Sequence, residues 1–433
     1  MPLEKSSQIV IVGAGCFGLS TAYHLLQRGF TSITILDRSS TLPAPDAAST
    51  DLNKIVRSAY ADEFYTRLAR VAIQEWQKPE WGNTYHQSGV VVLGSGQTSY
   101  TDSAYKNDVA NGARIEPLNT EEAIRAVFPP NVKTGSFEGK SGYINRDGGW
   151  ANASQGIKLM MDKVLALGGR IVPGKAVVDL MKRDGKTAGV RCADGSEIEA
   201  DLVVIASGSW TASNFPGLDL GSKCLATGQS IVTIQLTPEE AERYRDCPVF
   251  LDFGDSGFYL FPPNKDNIVK AAIHAAGYTY TPSSASSEGK SQSSVSTPVT
   301  ALSHGEQGLR IPKEMAKKLR EHIRSTYPEL GAKPFSGTRM CWYTDSPDDD
   351  WLIGYHPNDP AIAFATAGSG HAYKFLPIIG RLVADAIEGK LEPTLVQKFA
   401  LDRQRTHHEP NRFGETPREL KPNDLCTPDD LLP

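Results

Sequence analysis

The sequence predicts an α/β chain organised around a dinucleotide-binding unit, and three observations carry that expectation. The β-branched run Gln8 to Val12 leads directly into Gly13-Ala14-Gly15-Cys16-Phe17-Gly18 and then into Leu19 to Leu26, apolar at helical spacing. A second strand, Ser32 to Leu36, closes on Asp37, nineteen residues after Gly18. Far downstream, Asp201 to Gly208 reads as another buried strand.

Strand, glycine turn and helix form a phosphate site for a physical reason. The glycines Gly13, Gly15 and Gly18 permit a tight turn and let the backbone approach a pyrophosphate, whose charge is favoured by the free amides at the helix start. Asp37 stands where a ribose hydroxyl would find its acceptor, and an acid there argues against a 2′-phosphate. This leaves NAD or FAD, which the motif alone does not separate.

The next stretch, Pro43 to Asp51, is small and polar and too irregular for the third strand of a simple sequential dehydrogenase domain. Gly168 to Ile171, Ala176 to Leu180 and Thr187 to Cys192, with an Asp194-Gly195 turn, read together as a small antiparallel meander. The strand from Asp201 is then expected to rejoin the first sheet, making the nucleotide domain discontinuous. Tyr280 to Pro298 is dominated by serine and reads as a surface insertion without chemistry. From Thr406 onward the chain is rich in Pro, Asp and Glu, as in an extended strap or a disordered end.

Bulk properties exclude several classes. A chain of 433 residues holds two or three domains at roughly 150 residues each. With 45 Lys plus Arg against 50 Asp plus Glu, the net charge is -5, and there is no basic excess for a nucleic-acid partner. No run approaches the roughly 18 apolar residues of a membrane span, and Ile9 to Gly15 is too short for a signal peptide. Asp430-Leu431-Leu432-Pro433 does not match a peroxisomal Ser-Lys-Leu address, so the cytoplasm is the expected compartment. Six cysteines, at 16, 192, 224, 247, 341 and 426, form no Cys-x-x-Cys pair, and no histidine shows metal spacing. Neither a disulfide framework nor a metal is expected. Cys16 reads as a small side chain facing the sheet.

Four separated segments resemble the amine oxidases of the monomeric sarcosine oxidase group, which includes saccharopine and pipecolate oxidases and the amadoriases. They are the glycine motif, Ala47 to Arg57, Gly257-Phe258-Tyr259-Leu260-Phe261-Pro262 with Lys270, and Arg339 to Thr344 followed by Gly368 to Phe375. The resemblance spans nearly the whole chain. It implies a glutathione-reductase-like FAD domain of Rossmann type from 1–85, 145–215 and 336–405, and a mixed or antiparallel substrate domain from 86–144 and 216–335, with 406–433 as the tail. FAD is then the cofactor.

Cys341 matches the position where that group joins the flavin 8α carbon through a thioether. Taken alone, a buried cysteine is more often a small hydrophobe. Arg57 and Lys374 match the pair that holds a substrate carboxylate, chemistry that suits a guanidinium fork and a second cation. Lys270, eleven residues after Tyr259, matches the lysine that promotes reaction with oxygen, an electrostatic task needing placement rather than proton transfer. Lys54 is assigned to cofactor contact or oxygen access. Tyr259 and Tyr343 match pocket walls, and His371 a residue beside the flavin ring. The cofactor contacts implied are Gly13, Gly15, Gly18, Asp37, Arg38, Ser49, Lys54 and Gly208, then Cys341, Gly370, His371 and Lys374.

His274, four residues after Lys270, departs from the amadoriases, which resemble one another in placing an acid there. The sarcosine oxidase branch has histidine, so substrate contact by His274 is expected and the sugar-amine reading loses ground. The expected reaction is oxidation of a carboxylate-bearing secondary amine to an imine, with O2 reduced to H2O2. Candidate substrates are N-methyl or N-alkyl amino acids, pipecolate and saccharopine, and in fungal secondary metabolism an N-methyl iminium could close an isoquinoline-type ring. Fructosyl amino acid oxidase, NAD-dependent dehydrogenase and non-catalytic flavin-binding protein are the alternatives. A monomer is expected, with a small-molecule amine and O2 as its partners.

Overall fold

The computed structural model describes residues 3–95, 99–282, 295–404 and 416–433. Strand β1 (Ile9–Val12) is buried at all four positions, as an apolar run without alternation requires when both sheet faces are covered. Helix α1 (Cys16–Gln27) follows at once, and β2 (Ile33–Leu36) returns parallel to β1. The strand Leu202–Ile205, equally apolar, pairs with the other edge of β1, so the later segment does rejoin the first sheet.

Six strands make this sheet, in the order 352–356, 359–366, 202–205, β1, β2, 170–172. Residues 170–172 were expected in the meander. They run parallel to β2 instead, and the meander is built from 177–183, 186–192 and 197–199. The physical cause is the helix Ala153–Ala166 before them, which returns the chain over the sheet as a crossover and so delivers a parallel strand.

A larger sheet holds ten strands, running from 418–419 at one edge through 278–279, 225–235, 268–273, 258–260, 249–252, 90–95 and 140–145 to 115–118. Strand 337–345 pairs with 225–235 over nine residues. The domain division assigned this strand to the nucleotide part, and the correction matters. Strand side chains alternate between faces, so Met340 and Trp342 enter the core beneath the sheet while Cys341 and Tyr343 join Tyr259, Phe261 and Ala272 on the opposite face. β3 (Lys54–Val56) belongs to a separate three-stranded sheet with 149–151 and 85–86.

Residues 416–433 lie along the larger sheet as a strap. Leu420, Leu425 and Cys426 are buried there, and the Leu431 carbonyl accepts from both the Phe335 amide and Arg320. The serine-rich expectation over 283–294 and the tail at 406–415 fall outside the described residues. No described helix is long and apolar enough to cross a membrane.

Candidate active site

Two glycines of the first motif act through close approach. A Cβ on Gly13, whose φ is +116°, would stand 2.4 Å from the Ala206 carbonyl oxygen, and one on Gly18 would stand 1.9 Å from the Gly13 oxygen. The turn therefore closes only without side chains. Gly18 seats α1 on β1 and does not line the adjoining cleft, so its role is packing rather than direct contact.

That cleft, about 1090 Å³, runs past Gly13, Gly15, Ser49, Gly208 and Gly370. Asp37 and Arg38 line it at the end of β2. Asp37 accepts from the Ala14 amide at 2.8 Å and the Ser39 amide at 2.9 Å, while burial pushes its carboxyl up. Arg38 lies over the Trp210 ring at 3.8 Å and pairs with Asp46. Asp46 lines the same cleft, and its other oxygen, Oδ1, is buried without a hydrogen-bond partner. Cys16, expected to face the sheet, directs its thiol to the Ala372 carbonyl at 3.8 Å, and burial pushes that thiol up.

A second cleft, about 610 Å³, continues from the first; Lys54, Tyr343, Gly370 and Tyr373 line both. Arg57, Tyr259, Lys270, His274, His371 and Lys374 all face it. His371 and Lys374 were expected among the contacts of the nucleotide cofactor. Both line this second cleft and not the first.

The cations fall into two pairs. Lys270, 1% exposed, donates to Asp51 at 2.8 Å and to the Asn53 carbonyl at 2.6 Å. Lys54 donates to the same Asp51 oxygen at 2.9 Å. Burial alone would raise the Asp51 carboxyl, but Lys270, Lys54 and Arg339 together hold it far below the carboxylate range. Burial lowers Lys270 to about 8 against the opposing pull of Asp51. Lys54 is desolvated too, yet Asp51 and Cys341 hold its pKa above the ordinary value. Arg339 fixes the loop that carries Asp51, donating to the Thr50 and Ala47 carbonyls at 2.8 Å each.

Arg57 and Lys374 are also buried, at 7% and 5%, and neither forms an ion pair with a carboxylate among the described residues. Arg57 lies between the rings of Tyr60 and Phe253, at 4.9 and 4.7 Å, and donates to the Tyr100 hydroxyl at 3.3 Å. Lys374 donates to the Tyr60 hydroxyl at 2.6 Å and the His371 carbonyl at 2.8 Å. Phe253, Tyr259, Phe261, Tyr343 and Tyr373 wall the cleft, and burial pushes the Tyr259 phenol well up. His274 lies 6.0 Å from the Phe253 ring and 6.1 Å from that of Tyr343.

Cys341, 1% exposed, lines neither cleft by its own surface, but its Sγ lies 3.6 Å from Lys54 Nζ, which faces both.

The model of the FAD dependent oxidoreductases matches residues 8–386. The chain belongs to that family. L-Saccharopine oxidase of Schizosaccharomyces pombe is 30% identical, with 89% of this chain and 91% of the relative covered. The amino acid oxidase imqH of Aspergillus flavus is 27% identical, covering 91% of this chain and 96% of the relative. In three dimensions, fructosamine oxidase (amadoriase II) of Aspergillus fumigatus superposes with a TM-score of 0.82 at 28% identity over 92% of this chain and 90% of that one. The resemblance drawn from four segments therefore stands, as does the fold class, and the protein is an FAD-dependent enzyme of the amine-oxidising group.

The oxidoreductase has room and chemistry for FAD. A glycine turn that excludes side chains, an acid at the end of β2 and Asp46, whose Oδ1 has no hydrogen-bond partner, all line one cleft, and no acidic side chain lies in the first turn of α1 to repel phosphate. Four functional residues escaped the sequence: Asp51, Tyr60, Tyr100 and Phe253. Asp51 stood three residues before Lys54, a spacing that hints at an ion pair, and Tyr60 three after Arg57. Tyr100 and Phe253 come from distant segments and left no signal.

Proposed function

We propose that this oxidoreductase oxidises a secondary amine bearing a carboxylate, an N-methyl or N-alkyl amino acid or a pipecolate- or saccharopine-type substrate, with O2 reduced to H2O2. One observation carries the reading: two buried basic groups, the Arg57 guanidinium and the Lys374 amine, line an aromatic-walled cleft, and among the described residues neither meets a carboxylate. A buried charge is costly unless paired, so the cleft calls for an anion from outside. The guanidinium fork of Arg57 takes a carboxylate bidentately. Phe253, Tyr259 and Tyr343 shield it from water and strengthen that contact. His274 faces the same space and contacts the amine side of the substrate.

The bound FAD would supply the two-electron redox chemistry that links amine oxidation to oxygen reduction. The Lys270 ammonium supplies a fixed positive field for the charge that develops on oxygen. Cys341 anchors the cofactor covalently, a reading supported by its thiol against Lys54 Nζ and by its position beside Tyr343 on the strand face that meets both clefts. The enzyme acts as a monomer. Similarity to proteins named saccharopine oxidase, amino acid oxidase and N-methyl-L-tryptophan oxidase supports the substrate class, and His274 in place of an acid weighs against a sugar amine.

The deciding experiment mixes the yellow protein anaerobically with sarcosine, pipecolate, saccharopine, fructosyl-lysine and N-methyl aromatic amino acids. Bleaching by a carboxylate-bearing secondary amine is expected. Bleaching by fructosyl-lysine alone, or by none, refutes the reading. Acid precipitation tests the anchor separately: colour stays with the pellet of the native protein and leaves with the supernatant for Cys341→Ser.

A further inference from the structure

A secondary amino acid enters near neutral pH as a zwitterion, since its ammonium group loses its proton only well above pH 7. An imine forms only from the free amine, whose lone pair becomes the new bond. A proton must leave the substrate first. Yet none of the residues lining the second cleft is Asp or Glu, and Asp51 is already shared by two ammonium groups.

Lys374 differs from Lys54 and Lys270, the other lysines of the cleft, in its partners. Both of its hydrogen bonds run to neutral acceptors, the Tyr60 hydroxyl at 2.6 Å and the His371 carbonyl at 2.8 Å. His371 Nε2 meets the Asp349 carbonyl at 2.9 Å, so a neutral imidazole carries its proton on Nε2 and accepts from Tyr60 through Nδ1 at 3.1 Å. The Tyr60 oxygen is thereby turned to accept from Nζ. With two N–H bonds committed, a neutral Nζ has only its lone pair left.

The charged and titratable groups around it favour that state. Arg57 is close by, Cys16 lies behind, and Lys54, Lys270, His274, Tyr259 and Tyr343 line the same cleft. Burial first, and then the Arg57 charge, hold the Lys374 pKa well below the ordinary lysine value, with Cys16 opposing weakly.

We propose that Lys374 enters the reaction as a neutral amine, accepts the proton that the substrate's ammonium group gives up, and then holds the substrate carboxylate as a cation. This rests on the amine-oxidase reading above. The substrate N–H bond breaks with its electron pair left on nitrogen, an Nζ–H bond forms, and no oxidant is needed. Tyr60 is a positioning residue, because its oxygen accepts from the neutral and the charged Nζ alike.

A carboxylate without an ammonium group must draw its proton from solvent. Benzoate binding to the wild-type holoenzyme, titrated calorimetrically above neutral pH in two buffers of different ionisation heat, should take up about one proton per site. Uptake should vanish in Lys374→Arg, which stays charged, and persist in Lys270→Met. With an amine that bleaches the flavin, reduction of Lys374→Arg should rise about tenfold per pH unit up to the amine's own pKa, while the wild type stays flatter. Binding without uptake by the wild type, or identical pH profiles, overturns the inference, and the wild-type titration needs no variant. Proton uptake without bleaching by any amine overturns the amine reading alone; bleaching without uptake overturns this inference alone. Failure of both benzoate and acetate to bind removes the carboxylate site itself.

Discussion

Lys54 and Lys270 on one side, Arg57 and Lys374 on the other, are two pairs of buried basic side chains in one cleft, and the protein treats them oppositely. The first pair shares Asp51, so its charge is compensated inside the fold and its geometry is set before anything binds. Among the described residues the second pair is supported by hydroxyls, a carbonyl and aromatic rings. A compensated cation is a permanent part of the field. A buried basic group with no carboxylate beside it favours an anion brought from outside. On the proposed reading, the first pair serves oxygen and the second serves the substrate.

The comparison breaks most severely at Asp51. Asp51→Asn leaves two desolvated ammonium groups without their anion, and a stability loss of about 3–5 kcal/mol is expected in denaturant titration. Replacing Lys270 with Met should slow reoxidation of the reduced enzyme by roughly 10²- to 10³-fold while leaving anaerobic reduction by substrate almost unchanged. Equal effects on both would merge the two pairs into one function. Arg57→Lys keeps the charge and loses the fork, so KM should rise about 10- to 100-fold with little change in reoxidation. The smallest effect is a pH dependence. Lys270 is protonated below about 8, so the reoxidation rate should fall as pH rises through that value, and the fall should disappear in Lys270→Met. Since Asp51 raises Lys270, a folded Asp51→Asn should show the same fall at lower pH.

Much of this was legible in the chain because it is local. The glycine turn, β1, α1, β2 and Asp37 form one contiguous stretch, and an all-apolar run with no alternation announces a strand covered on both faces. Misplacing 170–172 had a local cause as well. Three residues pair equally well as hairpin or as crossover, and only the preceding helix decides between them. Strand 337–345 went to the wrong part because its residues, Arg339 to Thr344, read as a cofactor segment, whereas pairing with 225–235 depends on a partner about a hundred residues away.

By itself, the sequence determined the nucleotide-binding unit through the spacing of one turn and two strands, and its resemblance to the amine oxidases implied FAD and most residues that face the second cleft. Which of the cleft's basic side chains meet a carboxylate was decided only by tertiary structure. Asp51 and Lys270 are 219 residues apart, and Lys374 and Tyr60 are 314 apart. A lysine's charge and proton affinity depend on burial and on the groups within a few ångströms of it, and no local pattern in the chain encodes either.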